Sequence, residues 1–437
     1  MIRLAASLAL MLLAALPVRA AVEIQEVTSP GGITAWLVEE HSIPFVALEI
    51  RFKGGASLDR PGKRGAINLM TGLIEEGAGE LNAQDFAKAQ ETLAARYSFD
   101  VHDDALSISA RYLTENRDAS VELLKAALTD PRFDEDAVER VRAQVLSIIR
   151  SDETDPDKLA SRAFDAMTFG DHPYGSSLNG TLDSVTGLTH DDIVTAHADL
   201  LTRDKLYVGV VGDITADELG AMLDTLLGDL PATGADVPQA ANLSLTGGVS
   251  VVPFDTPQSV AIFGHAGIKR DDPDFFAAFV MNQILGGGNF SSRLMEEVRE
   301  KRGLTYGVYS YLVDKDHAQL MSGSFASANE RMAEAIQVVK DEWAKIAAEG
   351  VSAQELADAQ TYLTGAYPLR FDGNTQIAGI LVGMQMSDLG IDYIATRNGK
   401  VDAVTLDDIK RVAARLVNPG GLRFVVVGQP VGLEAVN

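Results

Sequence analysis

The spacing of apolar side chains lays out the chain before any single residue is considered. Pro44–Phe52 alternates apolar and polar positions, the signature of a half-buried strand, and runs through Gly54-Gly55 into a helical pattern from about Gly65. Leu206–Gly212 is a short apolar run that predicts a buried strand ending in glycine. Ser259–Gly264 predicts another strand, and Asp274–Leu285 a helix after it. Amphipathic helices are predicted over Ala83–Arg96, Asn116–Leu128, Asp134–Arg150, Asp155–Phe169 and Asn329–Ala348. Asp134 or Asp155 is placed to cap its helix, because a carboxylate accepts from first-turn amides.

These segments repeat. Leu188-Thr-His-Asp-Asp-Ile193 starts a helix that precedes the strand Leu206–Gly212. Val404-Thr-Leu-Asp-Asp-Ile409 starts another, followed by the strand Leu422–Gly428, with both pieces 216 residues further on. A repeat of this length implies two copies of one folding unit. Each copy opens with strands, passes through several helices and closes with a helix and a strand. That order lacks strict βαβ alternation and favours an α+β fold. Leu230–Asn242 is rich in Pro, Ala, Gly and polar residues and reads as a connector. The expected organisation is a signal segment over residues 1–20, a first domain over 21–235, a linker over 236–245 and a second domain over 246–437.

Composition narrows the setting. Arg3, the apolar run Leu4–Leu16 and Val18-Arg19-Ala20 have the layout of an export signal cleaved after Ala20. A buried N-terminal helix is the other reading of that run. The export reading implies a periplasmic or otherwise secreted protein. There is no cysteine, so an exported form relies on its core without disulfides. The net charge is −25, and losing Arg3 and Arg19 with the signal makes it −25 − 2 = −27. A nucleic-acid partner and an anionic membrane surface both call for the opposite sign.

Several motifs together resemble the pitrilysin/insulinase family of zinc peptidases. They are Ile43-Pro44, Gly54-Gly55 and Arg64-Gly65-Ala66; His172-Pro173-Tyr174-Gly175 with Gly180; and Gly212-Asp213. The second half adds Leu285-Gly-Gly-Gly288, Ser291-Ser-Arg-Leu294 and Val298-Arg-Glu-Lys-Arg-Gly-Leu-Thr-Tyr306. The resemblance implies two homologous halves, each a mostly antiparallel six-stranded sheet packed with helices, closing as a clam shell on a peptide. It also implies a His-x-x-Glu-His helix after the first strands. Two imidazoles four residues apart share one zinc, and the intervening Glu takes a proton from the zinc-bound water.

That chemistry is missing here. Asn68 stands in place of the first His, Thr71 of the Glu and Gly72 of the second His. The further Glu that such members carry downstream would fall near Leu146-Ser147-Ile148, where there is no carboxylate; Glu139 and Glu153 lie about two turns away. No metal ligand and no cofactor is therefore assigned to this chain. The resemblance further implies a two-chain enzyme, in which a homologous zinc-bearing peptidase subunit supplies the metal and this chain forms a heterodimer with it. Arg302 and Tyr306 match the Arg-x-x-x-Tyr pair that faces the zinc across the chamber in such enzymes. A guanidinium and a phenol aimed at the developing oxyanion would stabilise it. Arg302 can equally be a cation in the last turn of a helix. Tyr306, alternating with Leu304 and Val308, can equally be strand core.

A catalytically silent structural or peptide-binding protein of the same fold is the competing function. Gly286-Gly287-Gly288 reads as a tight turn between helices, and His172 and Tyr174 as loop packing.

Overall fold

The computed structural model describes residues 23–288 and 291–433. The expected export signal, residues 1–20, lies outside them. The first half opens with β1 (Gln25–Thr28), β2 (Thr34–Glu39) and β3 (Phe45–Lys53). Helices α1 (Ala66–Thr71) and α2 (Ala83–Thr92) lead to the hairpin of β4 (Arg96–Val101) and β5 (Ala105–Leu113). Then come α3 (Arg117–Thr129), α4 (Glu135–Asp152), α5 (Pro156–Phe169), α6 (Leu182–Thr186) and α7 (His190–Leu200). Strand β6 (Leu206–Gly212) and helix α8 (Ala216–Leu227) complete the half.

The second half repeats the plan. It runs through β7 (Gly248–Pro253), β8 (Gln258–Ala266) and α9 (Phe275–Gly286) to a π-helical turn at Met295–Glu300. The hairpin β9 (Val308–Lys315) and β10 (Ala318–Ala328) follows. Helices α10 (Met332–Glu349), α11 (Ala353–Ala366), α12 (Asn374–Met386), α13 (Tyr393–Asp402) and α14 (Leu406–Leu416) precede β11 (Arg423–Gly428).

Local chemistry sets the helix ends. Asp155 accepts from the amides of Asp157 and Lys158, with Pro156 at the first helical position. Asp134 does not cap α4; its carboxylate binds Arg132 instead. Thr189 and Thr405 each form a capping box, so the two Thr-x-x-Asp helix starts seen in the sequence are equivalent in space too. The helix predicted over Ala83–Arg96 stops at Thr92, because Ala94 turns at φ 49° and Arg96 already belongs to β4.

The strand order is β1-β2-β6-β3-β5-β4 in the first sheet and β7-β11-β8-β10-β9 in the second. In each sheet one pair is parallel, β2 with β6 and β7 with β11, and the rest are antiparallel. The two orders superimpose strand for strand, except that β1 has no counterpart. Among the described residues, the expectation of six strands per half holds for the first sheet and is corrected to five for the second. The reason lies in the stretch before β7. Ala241 N donates to His317 O and Ser244 N to Thr168 O, so that backbone is engaged by the β9–β10 turn and by α5 and not by the edge of β7.

Each half has its own core, with Leu48, Ile50 and Phe52 central in the first and Phe263, Trp343 and Phe424 in the second. The halves also exchange helices. Helix α5 of the first half lies on β8 and β11 of the second sheet, where Ala160 meets Val260 and Val427, and Phe164 and Phe169 meet Leu320 and Val425. Helix α12 of the second half lies on β3 and β6 of the first sheet, where Ala378, Leu381 and Met384 pack on Trp36, Ala47 and Val211. A glycine sits under each crossing. A Cβ on Gly209 would stand 2.7 Å from Ala378 O, and one on Gly264 3.1 Å from Phe164 Cζ. Side chains there would push the helices off the sheets.

Candidate functional site

Helix α1 carries the positions at which the family motif would bind zinc, and those positions are taken up by packing and hydrogen bonds. Thr71 is buried and donates its hydroxyl to Ile67 O at 2.7 Å, a back-bond within the helix. Gly72 faces α4 so closely that a Cβ would meet Val141 Cγ1 at 3.0 Å. The buried positions of α4 are Ala137, Val138, Val141, Val145 and Ile149, with no carboxylate among them. Asn68 donates from Nδ2 to Asn179 Oδ1 at 3.2 Å, and Asn179 Nδ2 reaches Asp152 Oδ2 at 3.3 Å. An amide ladder therefore occupies the ground of a metal centre, and one Asp at its far end is not a ligand set. Among the described residues no group of His, Asp and Glu is arranged to hold a metal ion. Zinc does not suit the residues present. Asn179 and Asp152 were not legible as partners of Asn68, since 111 and 27 residues separate the ladder's successive members.

Arg302 and Tyr306 lie between the π-helical turn and β9, the edge strand of the second sheet. Gly303, at φ 59°, breaks the helix, and Leu304 N returns to Val298 O. Thr305 and Gly307 then close a small turn, Thr305 Oγ1 donating to Gly307 O at 2.9 Å. Tyr306 stands out of that turn, 87% exposed. The strand begins only at Val308, which corrects the reading of Tyr306 as strand core: the alternation from Leu304 belongs to a turn.

Arg302 is held differently. Its Nη1 donates to Glu297 Oε2 at 2.6 Å and to Glu297 O at 2.7 Å. The same carboxylate accepts from Lys301 at 2.6 Å. The Arg302 guanidinium, with Lys301 second, holds the Glu297 carboxyl below its ordinary pKa. Glu297 went unnoticed in the sequence because five residues separate it from Arg302. A regular helix brings i+3 and i+4 together; the wider π turn begins to align i+5. No hydrogen bond joins Arg302 to Tyr306, and the phenol has no polar partner among the described residues.

His172 and Tyr174 pack, as the sequence suggested, and the contact they build joins the halves. The Tyr174 hydroxyl donates to Asp104 in the β4–β5 turn and accepts from His317 N, in the β9–β10 turn, at 3.2 Å. Lys315 Nζ lies 4.2 Å over the Tyr174 ring and pairs with Asp103. Lys53 pairs with Asp316 at 3.3 Å. The His172 ring accepts from Tyr174 N at Nδ1 and so donates from Nε2 to Gln239 O at 3.2 Å. Burial holds its pKa below the ordinary histidine value. In Gly286-Gly287-Gly288, Gly286 is the last residue of α9 and packs against Leu294 and Ser310.

A twofold-repeated α+β chain whose motif helix carries an amide ladder, with no metal-holding group among the described residues, has the layout of a peptidase-like protein. The profile described as insulinase (peptidase family M16) matches residues 35–182, and that of the peptidase M16 inactive domain matches residues 187–363. The chain belongs to the M16, or insulinase, peptidase family. It is 28% identical to the non-peptidase homolog YmxG of Helicobacter pylori, over 89% of this chain and 90% of that one. It is 26% identical to an uncharacterized zinc protease of Mycobacterium leprae, covering 90% and 88%. The crystal structure of a peptidase M16 inactive domain from Pseudomonas fluorescens superimposes with a TM-score of 0.88 at 27% identity, covering 95% of this chain and all of that one.

Proposed function

We propose that this chain is the non-zinc-binding subunit of a heterodimeric zinc metallopeptidase that degrades peptides. A homologous partner carrying His-x-x-Glu-His brings the metal and the general base. This chain brings half of the chamber wall together with Arg302 and Tyr306. The observation that carries the reading is Tyr306: a large aromatic phenol, 87% exposed, without a polar partner among the described residues, on a turn that two glycines and a Thr hydroxyl shape. A phenol presented in this way has its O–H free for a substrate carbonyl. As water attacks that carbonyl, charge grows on its oxygen, and a pre-aimed donor stabilises it without reorganising. The Glu297 carboxylate holds the Arg302 guanidinium, four residues before Tyr306 in the chain, in one orientation before substrate arrives. The location that goes with this proposal is the periplasm or another exported setting, on the strength of the Leu4–Leu16 run and its flanks.

A second reading has a specific observation behind it. Glu297 already neutralises Arg302, and the relative named as a non-peptidase homolog matches nearly the whole chain. On that reading the chain is a silent structural or peptide-binding member of the family. The test is Tyr306→Phe in the reconstituted complex with a zinc-bearing partner. The first reading expects kcat to fall about 100-fold with assembly unchanged. An unchanged kcat supports the silent reading.

A further inference from the structure

The second half contains a crevice of about 340 Å³ whose lining reverses the charge of the whole. The chain carries 62 acidic and 37 basic side chains. The crevice is lined by Arg270, Arg370 and Arg397 and by no carboxylate. None of these three arginines takes part in an ion pair among the described residues. Arg397 is the clearest case, at 6% exposed. Its Nη1 donates to Leu363 O and to Asn398 Oδ1, both uncharged acceptors. The charged and phenolic neighbours that act on it are Tyr393, Tyr367 and Arg370, with no acid among them, and burial lowers its pKa. A buried guanidinium without a counter-ion is costly, and proteins ordinarily supply a carboxylate for it.

The rest of the lining is aromatic. Phe275, Phe276 and Phe279 project from the first turns of α9, and each is only half-buried although α9 is otherwise a core helix. The rings of Phe275 and Phe279 lie nearly parallel, with centroids 6.2 Å apart. Arg270 is oriented by stacking 4.0 Å over Phe275 and by donating to the Tyr393 hydroxyl. A guanidinium has five N–H donors in a fixed fork, so most of those on Arg270 stay available. The crevice opens into a larger cavity of about 730 Å³ between the halves, which shares Arg270, Phe275 and Gly383 in its lining. That cavity carries acids as well as bases, so it serves as the approach and not as the seat of charge selection.

We propose that this crevice binds an apolar carboxylate, its charge held by Arg270 and Arg397 and its hydrocarbon or aromatic body laid on Phe275, Phe276 and Phe279. Fork-shaped donors match a carboxylate in two parallel bonds. Partly buried phenylalanines lining an open crevice suit an apolar body, which an inorganic anion lacks. Two sources present this chemistry: the C-terminus of a peptide ending in an apolar residue, and a free fatty or aromatic acid. The inference concerns this chain alone and stands whether or not it assembles with a zinc-bearing partner.

The test is calorimetric titration of the exported form of the chain with N-acetyl-phenylalanine, its amide, N-acetyl-alanyl-alanyl-phenylalanine and decanoate. At least one acid is expected to bind with one-to-one stoichiometry, and the amide at least about tenfold more weakly than N-acetyl-phenylalanine. Gly383→Leu puts a bulky side chain where the crevice meets the larger cavity, across the approach to it. A Cβ there has Arg51 Nη1 at 3.8 Å as its nearest neighbour, and leucine is a better helix former than glycine. That variant is expected to keep its melting temperature and lose binding, and Arg270→Gln to weaken binding about tenfold or more. Binding of decanoate alone identifies a free acid as the ligand, binding of the peptide acids alone identifies a peptide end, and both outcomes support the site. Equal binding of acid and amide, full binding by Arg270→Gln, or no binding of any acid at millimolar concentration overturns it.

Discussion

Asn68 donates its side-chain amide to Asn179 at 3.2 Å, on ground where the motif of active family members would put a zinc ligand. The bond ties α1 to the loop after α5, and through Asn179 to Asp152 at the end of α4. The ground of the family's metal site is a structural joint in this chain. Reinstating the motif therefore works against the packing.

The triple change Asn68→His, Thr71→Glu and Gly72→His is expected to bind zinc no better than micromolar, because no buried position of α4 carries a carboxylate and Asp152, at its end, lies beyond Asn179. It is also expected to lose on the order of 3 kcal/mol of stability. The Thr71→Glu change would bring a carboxylate to a buried position, and Gly72→His would press a side chain on Val141. Zinc titration with urea melts measures both. A stable triple variant with nanomolar zinc affinity would contradict the packing argument.

Glu297 and Arg302 make an ion pair at the surface, with the arginine side chain 38% exposed. Such pairs contribute little to folding. Glu297→Gln is expected to change the free energy of unfolding by less than about 1 kcal/mol, and Tyr306→Phe to leave it unchanged. In the proposed two-chain complex Glu297→Gln should lower turnover through a less ordered Arg302. A large loss of stability in either variant, seen in denaturant melts, would mean that these residues serve the fold.

Much of this architecture could be read from local sequence because its signals are local. Capping boxes at Thr189 and Thr405 and glycine-ended strands at Gly212 and Gly428 sit within a few residues of the features they create. They carried the repeat, and the family motifs carried the fold. What escaped was relational. An amphipathic pattern says that α5 buries a face, but it does not say that the face belongs to the other half's sheet. Alternation at Leu304, Tyr306 and Val308 mimicked a strand because period-2 counting takes no account of the bend at Gly303 and the Thr305–Gly307 turn. The second sheet fell one strand short because its entering segment spends its amides elsewhere. The aromatic–arginine crevice gathers residues from α9, α12 and α13 and the loops beside them, and no sequence window contains it.

The buried pair of His265 and Trp343 gives a pH signature. Trp343 Nε1 donates to His265 Nε2 at 3.0 Å while His265 Nδ1 donates to Ala266 O at 2.7 Å, so the ring is neutral. Burial holds the folded-state pKa below its ordinary value. The unfolded state then binds the proton more readily, so the stabilising term is complete above the unfolded value of about 6.5 and falls away as the pH drops below it. His197, buried against Leu128 O, has the same sign. The wild-type chain is expected to lose more stability between about pH 7.5 and about pH 5.5 than a His265→Gln variant does, with Trp343 emission changing in step. Equal losses would remove the assignment.

Asp165 has the opposite sign. It lies on α5 between the halves, and burial raises its pKa to about 6, with Lys315 opposing and Asp103 adding to the rise. Its charged form is therefore disfavoured in the fold. The destabilisation this causes is absent at low pH and grows as the pH climbs from the unfolded value of about 3.9 through about 6. Asp165→Asn is expected to stabilise the chain by on the order of 1–2 kcal/mol at about pH 7.5 and by much less at about pH 4.5. Paired melts at the two pH values decide this, and a variant equally stabilised or destabilised at both would refute it.

The reciprocal placement of α5 and α12 makes each half a cofolding partner of the other. Residues 21–235 produced alone would leave the first sheet without α12 and leave the apolar face of α5, with Ala160, Phe164 and Phe169, in water. Residues 246–437 produced alone would carry the mirror-image defect. Coexpressed as two separate polypeptides they should find each other and assemble, because the recognition surface is the missing core of each. The connector could then be cut, lengthened or rewired into a circular permutant, and the two pieces would behave as a complementing pair whose association reports on folding itself.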